Sequence, residues 1–89
     1  MRLKKGFVLR NVCGGNVIIG EGVNAINYGK LLTLNETAAF LWNEAAKGDF
    51  TPESLTISLC KEYEVEADEA RHDVDDIIFL WQQEGVIDV

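Results

Sequence analysis

Apolar and polar positions along this chain change period once, at Asn35. Before it the apolar runs are short and separated by turn residues. Phe7–Val12 (FVLRNV) alternates and is rich in β-formers, Gly14-Gly15-Asn16 reads as a turn, and Val17–Gly20 (VIIG) reads as a second strand closed by Glu21-Gly22. Asn24–Tyr28 and Leu31–Leu34 then read as a hairpin joined through Tyr28-Gly29-Lys30. The first third is predicted to be a small antiparallel meander.

After Asn35 the apolar residues fall at helical spacing. Asn35 is the predicted N-cap of a first helix, with Glu36 at the positive end of its dipole. Positions 38, 41, 42 and 45 give one buried face, and Gly48 marks the stop. Thr51-Pro52-Glu53 signals a second start, followed by a stripe of Leu55, Leu59 and Tyr63. A third helix is predicted from about Ala67 to Glu84, ending at Gly85, with Ala70, Val74, Ile77, Ile78 and Trp81 as its core stripe. Val86-Ile87 returns to the body as a short extended segment. A small sheet followed by three helices is α+β in the winged-helix style.

Composition narrows the picture. The chain has 89 residues, 47% hydrophobic and 26% charged, so it is expected to be one domain, 1–89, with a packed core. No apolar run approaches the ~20 residues of a membrane span, and MRLKKGFVLR lacks the apolar region of a signal peptide, so no membrane partner and a cytoplasmic location are expected. Cys13 lies by a predicted turn and Cys60 in a predicted helix. A bond between them is geometrically open, but a reducing cytosol favours two free thiols, one packed in the core.

Charge excludes more. The net charge is −7, and the predicted third helix carries Glu66, Asp68, Glu69, Asp73, Asp75, Asp76 and Glu84 against Arg71 alone. A recognition helix needs basic neighbours to hold phosphates, so a nucleic-acid partner is not expected despite the architecture. Chemistry is equally sparse. The single histidine, His72, faces away from the core stripe among Asp68, Glu69, Asp75 and Asp76, which reads as a solvated face rather than a metal site. Neither cysteine is placed beside His72, and no GxGxxG, P-loop or HExxH occurs; Cys13-Gly14-Gly15 is not followed by a helix start. No catalytic residue, metal or cofactor is expected.

One stretch is specific. Leu34-Asn35-Glu36-Thr37-Ala38 with Leu41-Trp42 and Gly48, then Thr51, Leu55, Leu59, Tyr63 and Val65, then Ala70, Asp73-Val74, Ile77-Ile78, Trp81 and Gly85-Val86-Ile87 resemble the coenzyme PQQ synthesis protein D (PqqD) family. Its domain is also called the precursor-peptide recognition element of ribosomally made, modified peptides. The likeness spans Leu34 to Ile87 and is a pattern of packing and capping, not a catalytic motif. It implies a winged-helix-like domain without catalysis of its own. Such a domain holds the leader of a precursor peptide and presents it to a modifying enzyme, in PQQ synthesis a radical SAM enzyme. The leader would add as a strand to the open edge of the last strand and pack against the third helix.

The residues add a sign of their own. The run IIFLW, Ile77 to Trp81, holds more apolar residues than one stripe uses, and Phe79 and Leu80 fall off it at about 100° per residue. They touch neighbouring loops or a dimer partner, or at least one lines a partner groove flanked by Asp76 and Gln83. The expected peptide-binding set is Lys30, Leu31, Leu32, Thr33, Asp76, Phe79, Leu80 and Gln83. Other readings are a scaffold or homodimerisation module of a biosynthetic complex, a winged-helix transcription regulator and, least of all, an enzyme.

Overall fold

A computed structural model describes residues 1–21 and 30–88. The elements run β1 (Arg2–Leu3), β2 (Phe7–Val12), β3 (Gly15–Gly20), β4 (Lys30–Leu34), α1 (Glu36–Ala45), α2 (Pro52–Tyr63), α3 (Ala67–Glu84) and β5 (Ile87–Asp88). The expected α+β order is present. The expected strand at Asn24–Tyr28 lies outside the described residues.

β2, β3 and β4 form an antiparallel sheet in that order. The first turn is one step earlier than the sequence suggests. Val12 pairs with Gly15, so the loop is the dipeptide Cys13-Gly14, with φ of 52° and 80°. Two positive φ values define a type I′ turn, whose twist matches that of the flanking strands. Gly14 supplies one without steric cost and Cys13 accepts the other. Gly15 and Asn16 are therefore strand, not turn.

β1 is not anticipated by the sequence. Arg2 pairs with Asp88 and Leu3 with Ile87, and the Lys4 amide donates to the Val86 carbonyl at 2.9 Å. Two residues carry too little pattern to reveal a strand whose partner lies at the other end of the chain.

The helices follow their caps. Asn35 Oδ1 accepts from the Ala38 amide at 2.8 Å, starting α1. Thr51 and Ser54 exchange side-chain and backbone bonds at 3.0 and 2.9 Å, starting α2. α1 ends at Ala45, ahead of the expected stop; Lys47 and Gly48 amides bond the Glu44 and Ala45 carbonyls, and Gly48 has φ of 153°. α3 ends as expected at Gly85 (φ 72°), where the Val86 amide reaches the Trp81 carbonyl at 3.1 Å.

The buried stripes of α1 and α3 stand, with Ala39 added and Ile77 half-buried at the margin. Tyr63 is a correction: it is 37% exposed and packs edge-on against Phe40, ring centroids 5.6 Å apart. Each i+4 step precesses about 40° around the helix, so two steps past Leu55 have carried Tyr63 off the core face. At the centre Trp81 meets Trp42 and Phe50 edge-to-face at 5.3 and 6.5 Å, closing helices and sheet around one core. Both cysteines are free thiols, Cys13 exposed on its turn and Cys60 half-buried against the core.

Candidate functional site

The site is built where β4 runs into α1 beside the middle of α3. Among the described residues, β4 has a strand partner on one side only, β3. Which of its backbone groups face the open side follows from bond parity. The Glu21 amide donates to the Gly6 carbonyl at 2.7 Å, and the two-residue turn makes Val12 and Gly15 the closing hydrogen-bonded pair. Antiparallel pairs alternate between bonded and non-bonded, and these two anchors agree. Val17 and Ile19 therefore turn their backbone groups to β2, and Asn16 and Ile18 turn theirs to β4. Asn16 pairs with Leu34 and Ile18 with Leu32, which commits both leucine backbones to β3. Thr33, opposite Val17, is left with its N–H and C=O directed outward.

The side chains agree with this division of labour. Leu32 and Leu34 are 9% and 5% exposed and sit in the core, whereas Thr33 is exposed. The register steps from Ile18↔Leu32 to Ile19↔Lys30, so Leu31 is the extra residue of a β-bulge. Bulges bend an edge and interrupt its ladder, which limits the regular open stretch of β4 to the part after Leu31.

At the end of β4 a small cleft of about 220 Å³ opens against α3, lined by Asn35, Thr37, Asp73, Asp76 and Ile77. Of the expected helix residues, Asp76 alone lines it. Leu80 follows Asp76 by four residues, one turn further on the same face, and is 41% exposed. Phe79, 60% exposed, is rotated by about 100° from Leu80 toward the outer pole of α3, and Gln83 is exposed one turn beyond it. The structure thus joins Asp76 to the end of β4, sets Leu80 next along, and puts Phe79 and Gln83 farther out.

Asp73, Ile77, Asn35 and Thr37 are cleft residues that sequence reading did not select. Asn35 registered only as a cap and Ile77 only as core. The spacing Asp73–Asp76–Ile77–Leu80 at i, i+3, i+4 and i+7 was the signal available for the helical side.

Electrostatically the cleft is acidic. His72 Nε2 lies 3.5 Å from Asp76 Oδ2. Arg71, on another flank of α3, is engaged by Asp75 at 2.9 Å and Glu53 at 3.3 Å. Glu53 is held below the usual carboxylate range, first by a bond from its own backbone N–H and then by Arg71, a feature of a helix start. Among the described residues no group of three or more His, Cys, Asp or Glu side chains is arranged to hold a metal ion, and no helix is long and apolar enough to cross a membrane. The arrangement offers an open strand end, an apolar margin and two carboxylates, which suit binding.

The fold has counterparts among known proteins. The model of the family Coenzyme PQQ synthesis protein D (PqqD) matches residues 16–87. No curated protein matches the sequence. Among solved structures, TbiB1 in complex with the TbiA(beta) leader peptide superposes with a TM-score of 0.74 at 16% identity, over 97% of this chain and 93% of that chain. Lasso peptide synthetase B1 complexed with the leader peptide superposes with a TM-score of 0.70 at 24% identity, over 96% and 93%. Likeness at such identities is likeness of fold.

Proposed function

Since the chain belongs to the coenzyme PQQ synthesis protein D (PqqD) family, matched over residues 16–87, we propose that it is a non-catalytic adaptor for the leader of a ribosomally made precursor peptide. It captures the leader by strand addition and presents it to a modifying enzyme, such as a radical SAM enzyme. The observation that carries this reading is the open edge of β4 at Thr33, which runs into a cleft shared with Asp76 and Ile77 of α3, with Leu80 exposed one turn further along that helix. Two proteins of the same fold are known as leader-peptide complexes, which supports the assignment.

In this reading the leader's backbone pairs along Lys30–Thr33, with Thr33 supplying the outward N–H and C=O and the bulged Leu31 limiting the ladder. Leader side chains on the inner face pack along Asp76, Leu80 and the cleft. Phe79 and Gln83 contribute at the outer margin. Backbone pairing gives affinity, and the helix gives selectivity between leaders.

The test is calorimetric titration of a candidate leader, taken from any short precursor found among the adjacent genes, with amide shift mapping. Saturable binding that moves the Thr33 amide and the Asp76–Leu80 turn supports the adaptor. Shifts confined to β2 and α1 would refute the site. The exposed Phe79 also suits a scaffold that self-associates, and sedimentation showing dimers without leader binding would favour that second reading.

A further inference from the structure

Resting on the reading of β4 as a leader-binding edge, we infer that the cleft at the end of this strand selects leaders that place a lysine or arginine side chain in it. A strand added to β4 sends every second side chain toward the face that packs on the helices. The side chain that passes the end of β4 at Asn35 meets Ile77, which is half-buried, and the carboxylates of Asp73 and Asp76. A lysine or arginine fits this combination as few side chains do. Its methylene stem lies on Ile77 while its head group stays between the two acids in partial contact with water.

The surroundings leave this role open. None of the residues lining the cleft is a lysine or arginine. Arg71 is turned to Glu53 and Asp75, and among the described residues Asp73 has no ion-pair partner. The neighbouring His72 is 3.5 Å from Asp76, charges only on protonation, and is 78% exposed, so it does not fill the cleft. The chain as a whole carries −7, so an acidic segment is repelled from this edge while a basic one is drawn to it. Discrimination therefore comes from repulsion of the wrong charge as much as from attraction of the right one.

The experiment uses a displayed library of random 12-residue peptides selected on the full chain. The expected result is enrichment of Lys or Arg at one fixed spacing from apolar positions. The best such peptide should bind the double variant Asp73→Asn/Asp76→Asn roughly fivefold more weakly, the size expected of partly exposed ion pairs. The difference should shrink in high salt. Both substituted side chains are exposed, so an unchanged thermal midpoint checks that the variant is folded. Amide shifts at Thr33 separate the two levels of the reading. Selected peptides that move Thr33 but carry no basic preference, or bind the double variant equally well, overturn the charge selection and leave strand addition standing. Peptides that leave Thr33 silent, or no enrichment at all, overturn both.

Discussion

Bond parity in the sheet makes a prediction that needs no ligand. If Leu32 and Leu34 spend their backbone groups on β3 while Thr33 points outward, proline should be tolerated at Thr33 and not at Leu32. Proline at an edge position whose N–H faces solvent removes no ladder bond, and the preceding strand residue already has the extended backbone that proline demands. Thr33→Pro should therefore cost less than about 1 kcal/mol of stability. Leu32→Pro takes away the amide that serves Ile18, which is fully buried, leaving an acceptor unpaired at about 1–3 kcal/mol. It also removes a leucine only 9% exposed, worth another ~2 kcal/mol. The sum of about 3–5 kcal/mol compares with about 4–13 kcal/mol for the whole stability of an 89-residue domain. Urea unfolding of the two variants measures the difference. Native-state hydrogen exchange checks it in the wild type, where the Thr33 amide should exchange far faster than those of Leu32 and Leu34. Equal protection of the three amides, or a Leu32→Pro variant as stable as wild type, would refute the parity and with it the outward edge at Thr33.

Other expectations are more local. Asn35→Ala should destabilise by about 1 kcal/mol, because the Ala38 amide loses its acceptor, and chemical unfolding reads this directly. Leu80→Ala should weaken leader binding by ~1 kcal/mol in titration and Phe79→Ala by less, since Phe79 lies farther from the cleft; both should leave the unfolding midpoint nearly unchanged. Glu44 is held below its ordinary 4.5, first by the hydrogen bond from Lys47, 2.6 Å away. A depressed carboxyl stabilises the fold above its unfolded pKa and loses that contribution as pH falls through the folded value, so Glu44→Gln should flatten the acid limb of the stability curve below about pH 4.5. Duplex DNA should bind no better than roughly 10⁻⁴ M at physiological salt, which an electrophoretic shift at submicromolar protein would disprove.

Much of the helical half was legible because its signals are local. A cap side chain bonds three residues away, and a glycine or proline acts through its own φ. The starts of α1 and α2 and the end of α3 accordingly stood at Asn35, Thr51 and Gly85. The resemblance carried by Leu34 to Ile87 was legible for the same reason, since it consists of caps and core periodicity and the family match runs over 16–87. Charge also belongs to the sequence, and the acidity of α3 needed no coordinates.

What only the tertiary structure decided depends on pairing between distant residues. The alternation Leu32-Thr33-Leu34 shows that two side chains are buried, but not which backbone groups face a neighbour. That was fixed by the Gly6–Glu21 bond and by a turn placed at Cys13-Gly14. β1 exists only because Arg2 and Leu3 meet Asp88 and Ile87. The cleft combines Asn35 and Thr37 with Asp73, Asp76 and Ile77 across two helices. The exposed face of α3 could be read from its period, whereas the part of that face bordering β4 could not. Periodicity fixes rotation about one helix axis; the azimuth at which another element lies is set by how the whole core closes around Trp81.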